Sequence, residues 1–97
     1  MTPVIVRLGA EADIEDAFHW YEEQRAGFGE EFRAALRVAF DEIAKSPLLS
    51  RVLHRNTRRY LMRRFPYAIY YRVFPDTVIV VACMHVRRNP RRWQSRN

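Results

Sequence analysis

The chain is poor in the residue types on which several chemistries depend. Cys83 is the only cysteine in 97 residues, which excludes an intramolecular disulfide and a cysteine-rich zinc site. The three glycines form no phosphate-cradling loop, and no nucleophile elbow is present. His19, His54 and His85 lack metal-ligand spacing, so neither a metal nor a cofactor is expected. The longest apolar run, Val78 to Met84, falls well short of the roughly 18 residues that a membrane helix needs. Met1 to Ala10 has no basic region followed by an apolar core, so no signal peptide is expected. These absences predict a cytoplasmic protein with no membrane partner. Acid is also missing from one half. Residues 1–48 hold ten acids and five bases, a net of −5, whereas residues 49–97 hold Asp76 as their one acid and twelve arginines, a net of +11. Lys45 is the only lysine. A field of this sign suits nucleic acid or an acidic protein.

What is present reads as one folded domain, residues 1–97, with 48% hydrophobic and 13% aromatic residues. Residues 4–8 are β-rich and predict a first strand. Ile14, Ala17, Phe18 and Tyr21 share one face of a helix over Glu11 to Arg25, with Asp13, Glu15 and Asp16 in its first turns. Gly27-Phe28-Gly29 breaks it. Phe32, Leu36, Ala39, Phe40 and Ile43 stripe a second helix that Ser46-Pro47 ends. The hydrophobic period then changes to two, with strands expected over 51–54, 58–65, 67–74 and 77–86. The predicted fold is α+β, in the order β-α-α-β-β-β-β. A helical hairpin packs on one face of a small antiparallel sheet, and the other face is left open and lined by arginine.

Two groups of residues are candidates for function. Arg58, Arg59, Arg63, Arg64 and Arg72 alternate with Tyr60, Tyr67, Tyr70 and Tyr71 on predicted strands. Guanidinium forks grip phosphate or carboxylate, and aromatic planes stack. The simpler alternative is a solvated sheet face with tyrosines in the core. The second group ends the last strand: His85, Arg87, Arg88 and Trp93. A histidine there suits acid–base work, or it bonds the chain turn. Trp93 is either an exposed anchor or a cover for the sheet edge. His19 and the carboxylate pair Glu22 and Glu23 read as solvated helix residues.

Taken together, these segments resemble the RelE/ParE superfamily of toxins from type II toxin–antitoxin modules, and within it the ParE-like, plasmid-stabilisation type. The resemblance rests on Ala12-Asp13-Ile14, Trp20-Tyr21-Glu22, Gly27-Phe28-Gly29, Phe32 and Ser46-Pro47. It rests most specifically on Arg64 to Arg72 and His85 to Trp93. It implies a helical hairpin on a small sheet and one of two activities. ParE-like members poison DNA gyrase; RelE-like members cut mRNA on the ribosome without metal. RelE-like members often carry an arginine where this chain has Ala68 and a catalytic tyrosine where it has Trp93. Tyr67 to Arg72 and His85 fit the ParE-like pattern. The resemblance therefore implies a gyrase-directed face made of Arg63, Arg64, Arg72, His85, Arg87, Arg88 and Trp93, with no catalytic residue needed. In the nuclease alternative, Arg72, His85 and Arg87 would do the chemistry. It also implies a ParD-like antitoxin whose disordered, acidic C-terminal segment folds on the toxin in a hetero-oligomer, with Phe18, Tyr21, Phe28 and Phe40 as candidate anchors.

Overall fold

The computed structural model describes residues 1–87 and 91–95. Strand β1 is Val4–Val6, followed directly by helices α1 (Leu8–Gln24) and α2 (Phe28–Lys45). Strands β2 (Val52–His54), β3 (Thr57–Leu61), β4 (Tyr67–Phe74) and β5 (Thr77–His85) come next, then one turn of helix, α3 (Arg91–Gln94). The five strands form one sheet in the order β1-β5-β4-β3-β2. The meander β2 to β5 is antiparallel, as its short connections require. The first strand makes the sheet mixed. β1 lies parallel to β5, with Val4, Ile5 and Val6 opposite Val78, Ile79 and Val80. It is tied there by the Val78 N–H to the Pro3 carbonyl (2.8 Å) and the Arg7 N–H to the Val80 carbonyl (3.0 Å).

The helical hairpin covers one face. Phe32, Leu36, Ala39 and Ile43 of α2 and Ala10, Ala17 and Tyr21 of α1 bury against Ile69, Tyr71, Val78, Val80 and Cys83 of the sheet. The hairpin closes tightly because Gly27 adopts a left-handed φ of 87° and Gly29 has no side chain. A Cβ at Gly29 would lie 2.7 Å from the Phe18 carbonyl oxygen and 2.8 Å from Phe18 Cδ2. Glu22, read from sequence as solvated, caps α2 instead. Its carboxylate accepts the N–H groups of Gly27 and Gly29, each at 2.9 Å, two donors that a helix N-terminus otherwise leaves unmet. Those bonds and the nearby Arg25 hold its pKa below the usual carboxylate value.

The second face is not an open arginine surface. Ala68, Tyr70, Val81, Ala82, Met84 and Trp93 form a small core of their own there. The Trp93 indole stacks on Tyr70, with centroids 4.3 Å apart and planes 15° apart, and is 4% exposed. Trp93 therefore covers the sheet rather than standing out from it. The arginines part company because side chains alternate across strands. Arg59 and Arg72 lie on this second face, paired across the ladder with Tyr70 and Thr57. Arg58 lies on the helix-covered face opposite Tyr71. Arg63 and Arg64 follow β3 and reach across to α2.

Candidate functional site

A groove of about 800 Å³ lies between α1 and the C-terminal half of β5, lined by Asp13, Asp16, Trp20, Tyr21, Phe28, Tyr67 and His85. Its existence follows from strand lengths. β1 pairs only as far as Val80, so the β5 edge beyond that point has no strand beside it. A bulge at Val81, which sits between the pairs Tyr71–Val80 and Tyr70–Ala82, resets the alternation. Cys83 thereby returns to the helix-covered face, and its edge-facing N–H donates to the Asp13 carboxylate at 3.0 Å. Burial, with Asp13 adding to it, pushes the Cys83 thiol up to about 12. This cysteine is therefore a core residue and not a nucleophile.

Aromatic rings make the groove floor. Tyr21 meets Phe28 and Phe65 edge to face at 4.9 Å each, stacks on Phe32 at 5.5 Å and lies 6.0 Å from Tyr67. Burial and then Tyr67 raise its hydroxyl pKa, so it is a neutral phenol at physiological pH. His85 stands at the groove end, edge-on to Tyr67 at 5.5 Å. Its Nδ1 accepts the Arg87 N–H at 3.1 Å, so the proton of the neutral ring sits on Nε2. This is the turn-bonded histidine that sequence reasoning weighed against an acid–base role.

A second, smaller groove of about 360 Å³ runs between α2 and β3. Ion pairs close its rim: Arg63 with Glu42 at 3.2 Å, and Arg64 with Glu31, which Arg25 also holds at 3.0 Å. The two arginines hold the Glu31 pKa down. Tyr60 donates to Glu42, and burial followed by that bond pushes its hydroxyl up to about 12. Acids of the first half thus neutralise part of the basic second half in space.

The residues expected to act together are dispersed. Arg63 and Arg64 lie at the α2 groove. His85 and Arg87 lie at the end of β5, by the α1 groove. Arg72 faces the opposite side of the sheet, its Nε buried without a hydrogen-bond partner and its guanidinium 5.8 Å from the Phe74 ring centroid. Tyr67 pairs with His85 and Arg72 with Ile79, so Arg72 is five residues away along β4, roughly 17 Å. Arg88 lies outside the described residues. Among the described residues no group of three His, Cys, Asp or Glu side chains is placed to hold a metal ion. No helix there is long and apolar enough to cross a membrane.

The anchor candidates are also split. Tyr21 and Phe28 floor the α1 groove. Phe18 lies under the Arg33 guanidinium, 3.8 Å from the ring centroid. Phe40 packs half-buried against the main core. The large apolar side chains that do face water are others, Trp20, Leu48 and Leu49 among them. No hydrophobic period points to Leu48 and Leu49, because they sit in a loop.

Comparison with known proteins gives these features a context. The family described as ParE toxin of type II toxin-antitoxin system, parDE, matches residues 4–90. The chain belongs to the ParE toxin family. Solved structures agree on the ParE fold. The chromosomal ParDE toxin–antitoxin system of P. aeruginosa contains a chain 14% identical, superposing with a TM-score of 0.66 over 88% of this chain and 96% of that one. The RelBE2 toxin–antitoxin complex of Mycobacterium tuberculosis contains one 21% identical, with a TM-score of 0.59 over 87% and 96%. No curated protein sequence matches the chain. It is thus a toxin of the ParE/RelE superfamily, with the helical hairpin on a five-stranded sheet that ParE and RelE chains share.

Proposed function

We propose that this ParE-family toxin acts on DNA gyrase as a binding inhibitor, in the cytoplasm, and is neutralised by a cognate antitoxin with a disordered acidic C-terminal segment. The observation that carries this reading is the separation of Arg72 from His85. Cleavage of a phosphodiester needs cations and an acid–base group converged on one phosphate. Here Arg87 stays beside His85, but Arg72 lies on the opposite face of the sheet and roughly 17 Å away. A binding inhibitor needs no such convergence. It needs an accessible surface of matching charge, and the exposed Arg87 after β5 supplies part of one. An antitoxin partner is supported by the two related structures, each a toxin–antitoxin system.

The test is a gyrase supercoiling and DNA-cleavage assay with folded toxin freed of antitoxin. Inhibition is expected, with loss of inhibition in the Arg87→Ala/Arg88→Ala double variant. Normal supercoiling, together with codon-positioned mRNA cuts in expressing cells, would overturn the reading in favour of a ribosome-dependent nuclease.

A further inference from the structure

The loop between α2 and β2 exposes more apolar surface than its rigidity requires. Leu48 and Leu49 are 65% and 84% exposed, and Val52 and Leu53 follow at 48% and 43%. Single exposed leucines need no explanation, but four exposed apolar side chains within residues 48–53 mark an interaction surface. This loop is also fixed in place. The Tyr71 hydroxyl, from a fully buried ring, donates to the Pro47 carbonyl at 2.9 Å. Arg58 Nη1 donates to the Leu48 carbonyl at 3.1 Å and to the Ser50 carbonyl at 2.6 Å. The Leu49 N–H donates to the Ser46 carbonyl at 3.2 Å. The backbone is bolted to the sheet with its leucines turned outward, so little ordering entropy remains to be lost on binding.

The adjoining hairpin adds charge and strain. Residues 45–59 carry Lys45, Arg51, Arg55, Arg58 and Arg59 and no carboxylate. Leu53 bulges from the β2–β3 ladder, between the pairs Val52–Arg58 and His54–Thr57. The hairpin tip holds Arg55 at φ 46° and Asn56 at φ 65°. Asparagine is at ease there, but arginine at the first position is strained where glycine or asparagine would not be. Strain of this kind is retained where a side chain has work to do.

We propose that this knob on the β2 edge docks an acidic amphipathic segment of the antitoxin, with Leu48 and Leu49 as apolar anchors and Lys45, Arg51 and Arg55 as the charged rim. The proposal rests on the antitoxin reading above and gives it a location away from the α1 groove. Nucleic acid fits less well. Residues 45–59 offer no Phe, Tyr or Trp to stack a base, and a phosphate backbone gives two leucines nothing to bury against.

The experiment is calorimetric titration of purified toxin with full-length cognate antitoxin at low and moderate salt, with melting curves and sedimentation for each variant. Leu49→Asp is expected to weaken binding about 30-fold, as loss of an anchor does, with its melting curve unchanged because the side chain is exposed. Arg55→Gly is expected to melt higher, by relief of strain, yet to bind several-fold more weakly and with a smaller salt dependence. A turn with a purely structural role would not couple those opposite signs. Leu49→Asp binding within twofold of the parent would overturn the proposal. So would a parent self-association that Leu49→Asp abolishes with antitoxin affinity intact. Failure of the parent toxin to bind antitoxin would instead overturn the antitoxin reading itself.

Discussion

Replacing Gly29 by alanine sets two opposed effects against each other. Gly29 is in the first turn of α2, where alanine should help by about 1 kcal/mol on helix propensity alone. The close approach of the two helices argues the other way. The new methyl would meet the Phe18 carbonyl oxygen at 2.7 Å and the Glu22 carboxylate at 2.9 Å, and the first of these is backbone that cannot swing aside. Prying packed elements apart costs typically about 1–3 kcal/mol, and here it also disturbs the Glu22 cap. The net expectation is a loss of about 1–2 kcal/mol, which for a domain of this size lowers the melting temperature by about 5–15 °C. Urea and thermal unfolding, read by circular dichroism, would measure it. Gly27→Ala is the companion variant. It meets nothing within 4 Å, so its cost of about 1 kcal/mol should come from the positive φ alone. A Gly29→Ala protein that melts higher than the parent would refute the close-approach reasoning.

Trp93→Ala should cost about 2–3 kcal/mol, below the cost of a central aromatic because α3 is a single peripheral turn, and should raise binding of a hydrophobic dye to the uncovered Tyr70 face; an unchanged melting temperature would count against the packing described. Glu22 and Glu31 have folded pKa values lowered from 4.5, so their contribution is present above that pH and lost as pH falls through the lowered values. Stability should therefore drop on acidification below about pH 4.5, and a Glu22→Gln/Glu31→Gln variant should show a flatter acid limb in pH-resolved melts. Cys83 should resist a thiol reagent at pH 8 in the folded protein and react fully in denaturant, as a buried thiol pushed up to about 12 requires; rapid labelling of the native state would contradict this.

Much of the fold is legible in the sequence because period and punctuation agree. The α2 stripe from Phe32 to Ile43 and its Ser46-Pro47 stop fall where the helix does. The alternation from Tyr67 to Val73 assigns each residue of β4 to its correct face. What escaped reading is set by long-range contacts. Three residues of β1 carry no information about parallel or antiparallel pairing. The Val81 bulge is hidden inside an apolar run where every residue suits a core. The arginines of the second half form a coherent group along the chain. The pleat, the turn after β3 and the carboxylates Glu31 and Glu42 then scattered it. The Glu22 cap was invisible because its donors, Gly27 and Gly29, belong to the next helix.

The parallel pairing of β1 with β5 has a bearing on how the chain comes to life. Strand β5 lies between β1 and β4, yet it follows both in sequence. Until residues 77–85 are in place, β1 has no partner and the hairpin has no complete floor. Closure of the sheet therefore depends on a pairing between residues far apart in sequence, Val4 with Val78, a non-local step that slows folding relative to the local helical hairpin.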